Sequence, residues 1–249
     1  MNVTALVFGS LGTLTETSAL HRQAFNETFA EEGLDWYWDE PTYRNLLDHV
    51  GGVNRIQTYA AGRADQAPID ATWAAALHAR KTERYAKLVR STELSLRPGV
   101  ERLLREAEAA GIKRGLATGT SLDNIEASLD AVGNLISLTD FDAYTTRDVI
   151  EHAKPSPAAH RRCVGLLAVE SDGVLAIEDS ADGVASAADA GLAVVATPGR
   201  FVSDQSFDRA DLVMSDLGAP GHPARRLDVG AGPDGGIATL SWLAEAVRT

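Results

Sequence analysis

Five short apolar runs, separated by amphipathic helical patterns, constrain the fold of this chain more than any other feature. They are Ala5-Leu6-Val7-Phe8, Gly115-Leu116-Ala117, Val174-Leu175-Ala176-Ile177, Ala193-Val194-Val195-Ala196 and Leu212-Val213-Met214. A weaker candidate is Phe141-Asp142-Ala143-Tyr144. A strand that is apolar on both faces must be covered on both faces. The alternation therefore predicts an α/β architecture, a Rossmann-like parallel sheet between helices. Punctuation supports the helices between the runs. Pro98 and Gly111 bracket a helix over 100–110. Ser121 is placed to cap the helix that ends before Gly133, and Gly191 ends the helix that starts near Ala181.

The interval from about Thr17 to Thr92 breaks this rhythm. It carries helical patterns over 19–32, 41–47, 54–62 and 71–90 without convincing strands. This predicts an all-helical insertion at 17–92 within a core made of 1–16 and 93–249. The stretch from Gly218 to Gly236 is rich in Gly, Pro and Ala and predicts an irregular loop before a last helix over 237–247. With 45% apolar residues the chain can bury a sizeable core. A formal charge of −12 argues against nucleic acid and anionic membrane as general partners. Cys163 is the only cysteine, which excludes an internal disulfide and a cysteine-based metal cluster. No run of about 18 apolar residues and no leader-like start is present, so the cytosol is the simplest location.

Ligands of open parallel sheets bind beyond the carboxyl ends of the strands, and four loops lie there. Gly9–Leu14 follows the first strand. In Thr118-Gly119-Thr120-Ser121, a hydroxyl and helix N-terminal amides can hold a phosphate, although an ordinary helix cap explains them as well. Lys154 stands before a proline-initiated helix, where a solvated lysine is the plain alternative. Glu178 and Asp179 close an apolar strand, where helix capping by Asp179 competes with metal binding. Together, a hydroxyl, a lysine and an acidic pair after successive strands suit a phosphate and Mg²⁺ site.

On these residues the chain resembles the haloacid dehalogenase superfamily, within it the CbbY-type sugar-phosphate phosphatases and β-phosphoglucomutase relatives. The likeness spans about residues 1–217. The family's Asp-x-Asp-Gly-Thr-Leu loop lies over Gly9–Leu14, its Ser/Thr over Thr118, its lysine over Lys154 and its acidic pair over Glu178 and Asp179. The segments 21–29, 34–36, 51–52, 81–84 and 96–99 extend it. The resemblance implies a Mg²⁺-dependent phosphatase acting on sugar bisphosphates such as xylulose 1,5-bisphosphate, with the insertion as a cap. It further implies substrate contacts at Arg55, which would hold a distal phosphate, and at Lys81. His21 shares a helix face with Phe25 and Phe29, either as a core histidine or as the family's histidine beside the hinge. Lys81 and Arg84 interrupt an apolar stripe of Trp73, Leu77, Tyr85 and Leu88, as snorkelling side chains or as cations for a ligand. Trp36, Tyr37 and Trp38 suit the core of the insertion better than a stacking platform.

The chain departs from the pattern at the two positions that matter most. The family's nucleophile and acid/base aspartates are replaced by Gly9 and Leu11. Gly9 cannot attack phosphorus and Leu11 cannot move a proton. Ser10 should face away in an extended segment. Phosphate-monoester hydrolysis can need acceleration approaching about 10²¹-fold. A triad enzyme stripped of its nucleophilic machinery retains roughly 10³–10⁴-fold. The sequence therefore predicts a catalytically silent binder of phosphate or a small phosphorylated sugar, with weak or absent Mg²⁺ dependence and only a remnant metal site at Glu178 and Asp179. Two alternatives stand beside it. One is an active hydrolase with a substitute carboxylate, for which Asp182, Asp140 and Asp148 are candidates by family layout. The other is a protein-interaction module with a vestigial pocket, its partner unspecified.

Overall fold

The computed structural model describes residues 1–9, 11–49, 51–64, 69–133 and 135–247. Ser10 lies outside the described residues. The chain forms two compact units, 1–16 with 93–249 and 17–92. It opens with β1 (Ala5–Phe8) and the one-turn α1 (Leu11–Leu14). The second unit holds α2 (Ser18–Glu31), α3 (Glu40–Leu46), α4 (Gly52–Ala61) and α5 (Ala71–Arg90). The first unit resumes with α6 (Val100–Ala109), β2 (Lys113–Ala117), α7 (Leu122–Ala131) and β3 (Ala143–Thr145). It ends with α8 (Ala158–Leu167), β4 (Val174–Glu178), α9 (Ala181–Asp189), β5 (Ala193–Ala196), β6 (Leu212–Val213) and α10 (Leu240–Ala246).

The strands form one parallel sheet in the order β3-β2-β1-β4-β5-β6. Every residue of β1 and β4 is buried, as strands covered on both faces require. Ala159, Cys163, Val164 and Leu167 of α8 pack into one core with Val184 and Ala187 of α9 and with residues of β1, β4 and β5. β2 begins two residues before its apolar run, at Lys113 and Arg114, which are exposed and half-buried. Polarity at a strand's outer end hides that end from an apolar pattern.

The tail is less irregular than its composition predicts. Met214 bridges Arg226 in antiparallel sense, Leu227 donates its N–H to the Val213 carbonyl (2.7 Å), and Ser215 donates to that of Arg225 (2.8 Å). Gly99 adopts φ 83°, and a side chain there would press into the Gly218 carbonyl. The last helix starts at Leu240 behind a Thr239 cap that accepts from the Trp242 N–H (3.2 Å), later than the pattern suggested.

In the helical unit, α2 and α4 pack on α5. Trp36 and Trp38 are buried among Phe25, Phe29 and Tyr59, while Tyr37 is 65% exposed. Asn26 clamps the Trp38 backbone, donating to its carbonyl (2.9 Å) and accepting from its N–H (2.8 Å). On α5 the buried line runs through Ala74, Leu77, Lys81, Tyr85 and Val89, so Trp73 and Leu88 lie at its flank. Arg84 pairs with Glu27 (3.6 Å) and Glu31. No described helix is long and apolar enough to cross a membrane.

Candidate functional site

The chain order reverses between β1 and β4, and open α/β sheets form their ligand crevice at such a point. Phe8 pairs with Leu116 on one side and Ile177 on the other. Gly9, one residue further, donates its N–H to the Ile177 carbonyl (2.8 Å). Register alone thus sets Gly9 between the loop that starts at Thr118 and the β4 end that carries Glu178, with strands about 4.8 Å apart.

Glu178 occupies the space that a position-9 side chain would need. A Cβ on Gly9 would overlap its carboxylate, as would a Cβ on Gly183. The carboxylate is fully buried. Lys154 Nζ lies 2.6 Å from Glu178 Oε1 and also donates to the Gly9 carbonyl. His160, buried with it, places Nε2 2.8 Å from the same oxygen without hydrogen-bond alignment. Its Nδ1 pairs with Ser186 Oγ (2.8 Å), which donates to the Ser156 carbonyl (2.7 Å). Glu178 Oε2 has no hydrogen-bond partner among the described residues. Burial alone would raise the Glu178 pKa. Lys154 and then His160 more than offset that, so the carboxyl titrates below its ordinary value. His160 is held below the usual imidazole range by burial and by Lys154, against the pull of Glu178.

The other sequence-selected groups stand around this pair. Thr118 is buried, and its hydroxyl accepts from the Thr120 N–H (3.2 Å), which leaves its O–H to donate. Gly119 is exposed, with open space where a side chain would project. Ser121 sits at the N-cap of α7 but makes no side-chain cap bond; Asp148 Oδ2 accepts the Leu122 N–H instead (3.0 Å). Asp179 is not a helix cap, because Ser180 caps α9 through the Gly183 N–H (3.3 Å). Asp179 Oδ1 accepts from the Thr13 hydroxyl (3.3 Å). Leu11 is buried at 6% exposure, so the acid/base position carries carbon in an apolar setting.

These donors fit Mg²⁺ poorly. Mg²⁺ takes one or two carboxylates with substrate oxygens and water. Position 9 has none to give, and Glu178 Oε1 is engaged by an ammonium. Asp179 is the acid left, and no group of three His, Cys, Asp or Glu assembles among the described residues.

Two of the three proposed substitute acids are committed elsewhere. Asp140 precedes β3, at the end of the strand away from the crevice, and accepts from Arg105 (2.6 Å) and the Ser137 N–H (2.7 Å). Asp148 caps α7 and accepts from the Thr146 hydroxyl (3.1 Å). Asp182 lies in the first turn of α9.

The helical unit gathers a second set of nitrogens. Lys81 is 5% exposed, 2.7 Å from His21 Nδ1, with its ammonium 4.8 Å from the Phe25 ring centre and 5.0 Å from that of Tyr85. His21 stacks on Tyr85 at 3.8 Å. Arg55 Nε donates to the carbonyls of Leu46 (3.2 Å) and His49 (3.0 Å). Burial and then Arg55 push Lys81 down to about 7. Burial, Lys81 and Arg55 lower His21 well below its ordinary value, and the same causes bring His78 to about 4. For all three, burial and neighbouring nitrogens disfavour the charged form.

Sequence reasoning missed His160, Gly183 and Arg97. Arg97 donates to the carbonyls of Gly12 (3.2 Å), Thr197 (2.7 Å), Pro198 (3.1 Å) and Ser215 (3.4 Å), binding α1 to two loops. The one available signal was that Arg97 fell inside a segment quoted for the resemblance. A lone His in an amphipathic helix and a Gly in a first turn carry none.

Comparison with known proteins follows this geometry. A profile of haloacid dehalogenase-like hydrolases matches residues 3–191. The protein CbbY of Cereibacter sphaeroides is 39% identical over 213 residues, covering 85% of this chain and 91% of that protein. A CBBY-like protein of Arabidopsis thaliana is 32% identical over 232 residues, covering 90% and 72%. The crystal structure of a CbbY variant from Rhodobacter sphaeroides with xylulose-(1,5)bisphosphate superposes with a TM-score of 0.76 at 39% identity, covering 86% of this chain and 94% of that one. A β-phosphoglucomutase from Clostridium difficile shares the fold, with a TM-score of 0.70 at 17% identity over 99% and 97% of the chains.

Proposed function

This chain belongs to the haloacid dehalogenase-like hydrolases, and on that premise we propose that it binds phosphate or a small phosphorylated sugar without turning it over. The observation that carries the reading is the exchange at position 9. A glycine stands there, and the space its side chain would need is filled by the ion-paired carboxylate of Glu178. Thr118, Gly119 and Lys154 are the groups for an anion at the strand ends. His21, Arg55 and Lys81 supply a second set, with the helical unit in the role of cap. The ligand class follows the relatives: one CbbY structure holds xylulose bisphosphate and another holds phosphate. Binding without Mg²⁺ is physically reasonable. A carboxylate 4 Å from a phosphate repels it by up to about 4 kcal/mol at an effective dielectric near 20; the loop itself carries none at positions 9 and 11, and the Glu178 carboxylate that fills the position-9 space is paired with Lys154.

The test is a phosphate-release assay with and without Mg²⁺ on a panel that includes xylulose 1,5-bisphosphate, together with calorimetry on the same compounds. Binding with no turnover supports the reading. Absence of binding at millimolar concentration removes it.

One observation favours a second reading. The Glu178 carboxylate stands where the family's nucleophile would begin, with an unpartnered oxygen, so Glu178 is the strongest substitute nucleophile. Its complete burial and its pairing with Lys154 weigh against attack. Mg²⁺-dependent turnover that disappears in E178Q would establish it.

A further inference from the structure

We propose that Glu178 is a tethered counter-ion that holds the strand-end anion seat shut, so that a phosphate reaches Lys154 only by displacing this carboxylate. The inference rests on the proposed binding of phosphate and concerns how that seat is regulated.

Three independent features support it. Lys154 is engaged from within the chain, because two of its three ammonium protons go to Glu178 Oε1 and to the Gly9 carbonyl. An incoming anion meets a neutral pair and not a cation. The inward position of Glu178 also depends on two glycines, since a Cβ at Gly9 or at Gly183 would overlap the carboxylate. With any other residue at position 9 the carboxylate could not lie where it does. Finally, the pair is held shut incompletely. Glu178 Oε2 is buried with no hydrogen-bond partner among the described residues, and His160 Nε2 sits close to Oε1 without alignment. A buried carboxylate oxygen left unpaired costs free energy, so the closed arrangement is one that a competing anion can relieve.

The phosphate and Glu178 thus compete for one ammonium. Seating the anion requires the Glu178 side chain to swing away from Lys154, and its new site must accept a charge. Thr118 and Gly119 take part only after that displacement. Resting affinity is low by construction, and it is set by Glu178 rather than by the groups that touch the ligand.

Calorimetry with inorganic phosphate tests this in a Lys81→Met background, which removes the buried lysine of the helical unit. Glu178→Gln keeps the shape and removes the charge that competes for Lys154. It is expected to bind phosphate at least 10-fold more tightly than the parent, and adding Lys154→Met is expected to abolish the gain. Gly9→Ala provides a second route, because its methyl evicts the carboxylate sterically and leaves both charges in the chain. It is expected to tighten binding in the same direction, and thermal unfolding identifies any variant that fails to fold. Equal affinity in the parent, Glu178→Gln and Gly9→Ala, with phosphate bound, overturns the gate and leaves the binding function intact. No phosphate binding by any folded variant, including the chain with Lys81 restored, removes the binding function and the gate with it.

Discussion

Glu178 and Gly9 share one volume at the end of the sheet: the carboxylate of one lies where the side chain of the other would begin. They sit on neighbouring parallel strands, at the crevice where this architecture places its ligands. The bare glycine at position 9 and the inward turn of Glu178 are therefore sterically coupled. A buried ion pair stands where the family pattern has a nucleophile.

Installing the family's loop tests that coupling. In Gly9→Asp the new side chain must displace Glu178, adding overpacking and like-charge repulsion beside Lys154. We expect a loss of about 1–3 kcal/mol in denaturant unfolding. Gly9→Asp with Leu11→Asp is expected to show Mg²⁺-dependent hydrolysis of a sugar bisphosphate above the rate of the parent chain. A folded double variant that stays inactive would show that the rest of the site has drifted too.

Breaking the pair from the other side has a different signature. Lys154→Met leaves an ionised Glu178 buried without its ammonium, and such removals cost about 3–5 kcal/mol. Lys154→Met with Glu178→Gln should recover most of that loss, because no charge remains stranded. A double-mutant cycle that gives zero coupling energy would contradict the pairing.

The helical unit predicts opposite pH trends for stability and binding. Lys81 titrates near 7 in the fold against an ordinary value of 10.5. Between those two values the unfolded chain holds a proton that the folded chain has released. Stability from this group therefore rises with pH across that window. Phosphate prefers the protonated lysine, so affinity should fall as pH rises through about 7, with proton uptake on binding above it. The groups around Lys81 are His21 from α2, Arg55 from α4, and His78 with Tyr85 on α5. Both trends should flatten in Lys81→Met, in chemical melts and in calorimetry across buffers.

Arg97 is a structural keystone by the same kind of accounting. Its guanidinium serves carbonyls of Gly12 in α1 and of the loops at 197–198 and 215. Arg97→Ala leaves several part-buried acceptors without this donor, each costing up to about 1–3 kcal/mol, and is expected to lower the unfolding free energy by about 3 kcal/mol. A shift under about 1 kcal/mol would mean that water replaces it.

Much of the fold was legible because burial on both strand faces leaves an unbroken apolar run. All six strands overlap predicted runs; the ends differ at exposed Lys113 and also at buried positions such as Glu178, Thr145 and Met214, where the apolar pattern does not mark the limit of pairing. Residue 178 shows the limit of such patterns. As a letter it is an acid after four apolar residues, and only coordinates reveal that its carboxylate points inward to the hole left by Gly9. The four selected loops were legible as well, because chain order fixes which strand ends meet. Ser121 does stand at the N-cap of α7, but no side-chain bond follows from that position; the Leu122 N–H is met by Asp148, a partner distant in sequence that no local pattern reveals. Similarly, the α5 stripe was drawn through the bulky Trp73 and Leu88, whereas packing against α2 selected the line through Ala74 and Val89.

The run from 225 to 227 has a consequence for behaviour in solution. β6 is two residues long and would otherwise offer unmet backbone donors and acceptors to any neighbour. By satisfying the Val213 carbonyl and the Arg225 carbonyl within one molecule, the Gly- and Pro-rich tail acts as a selvedge on the sheet. A chain trimmed before Arg225 is expected to bare those groups and to self-associate strand to strand, which light scattering against the full chain would read.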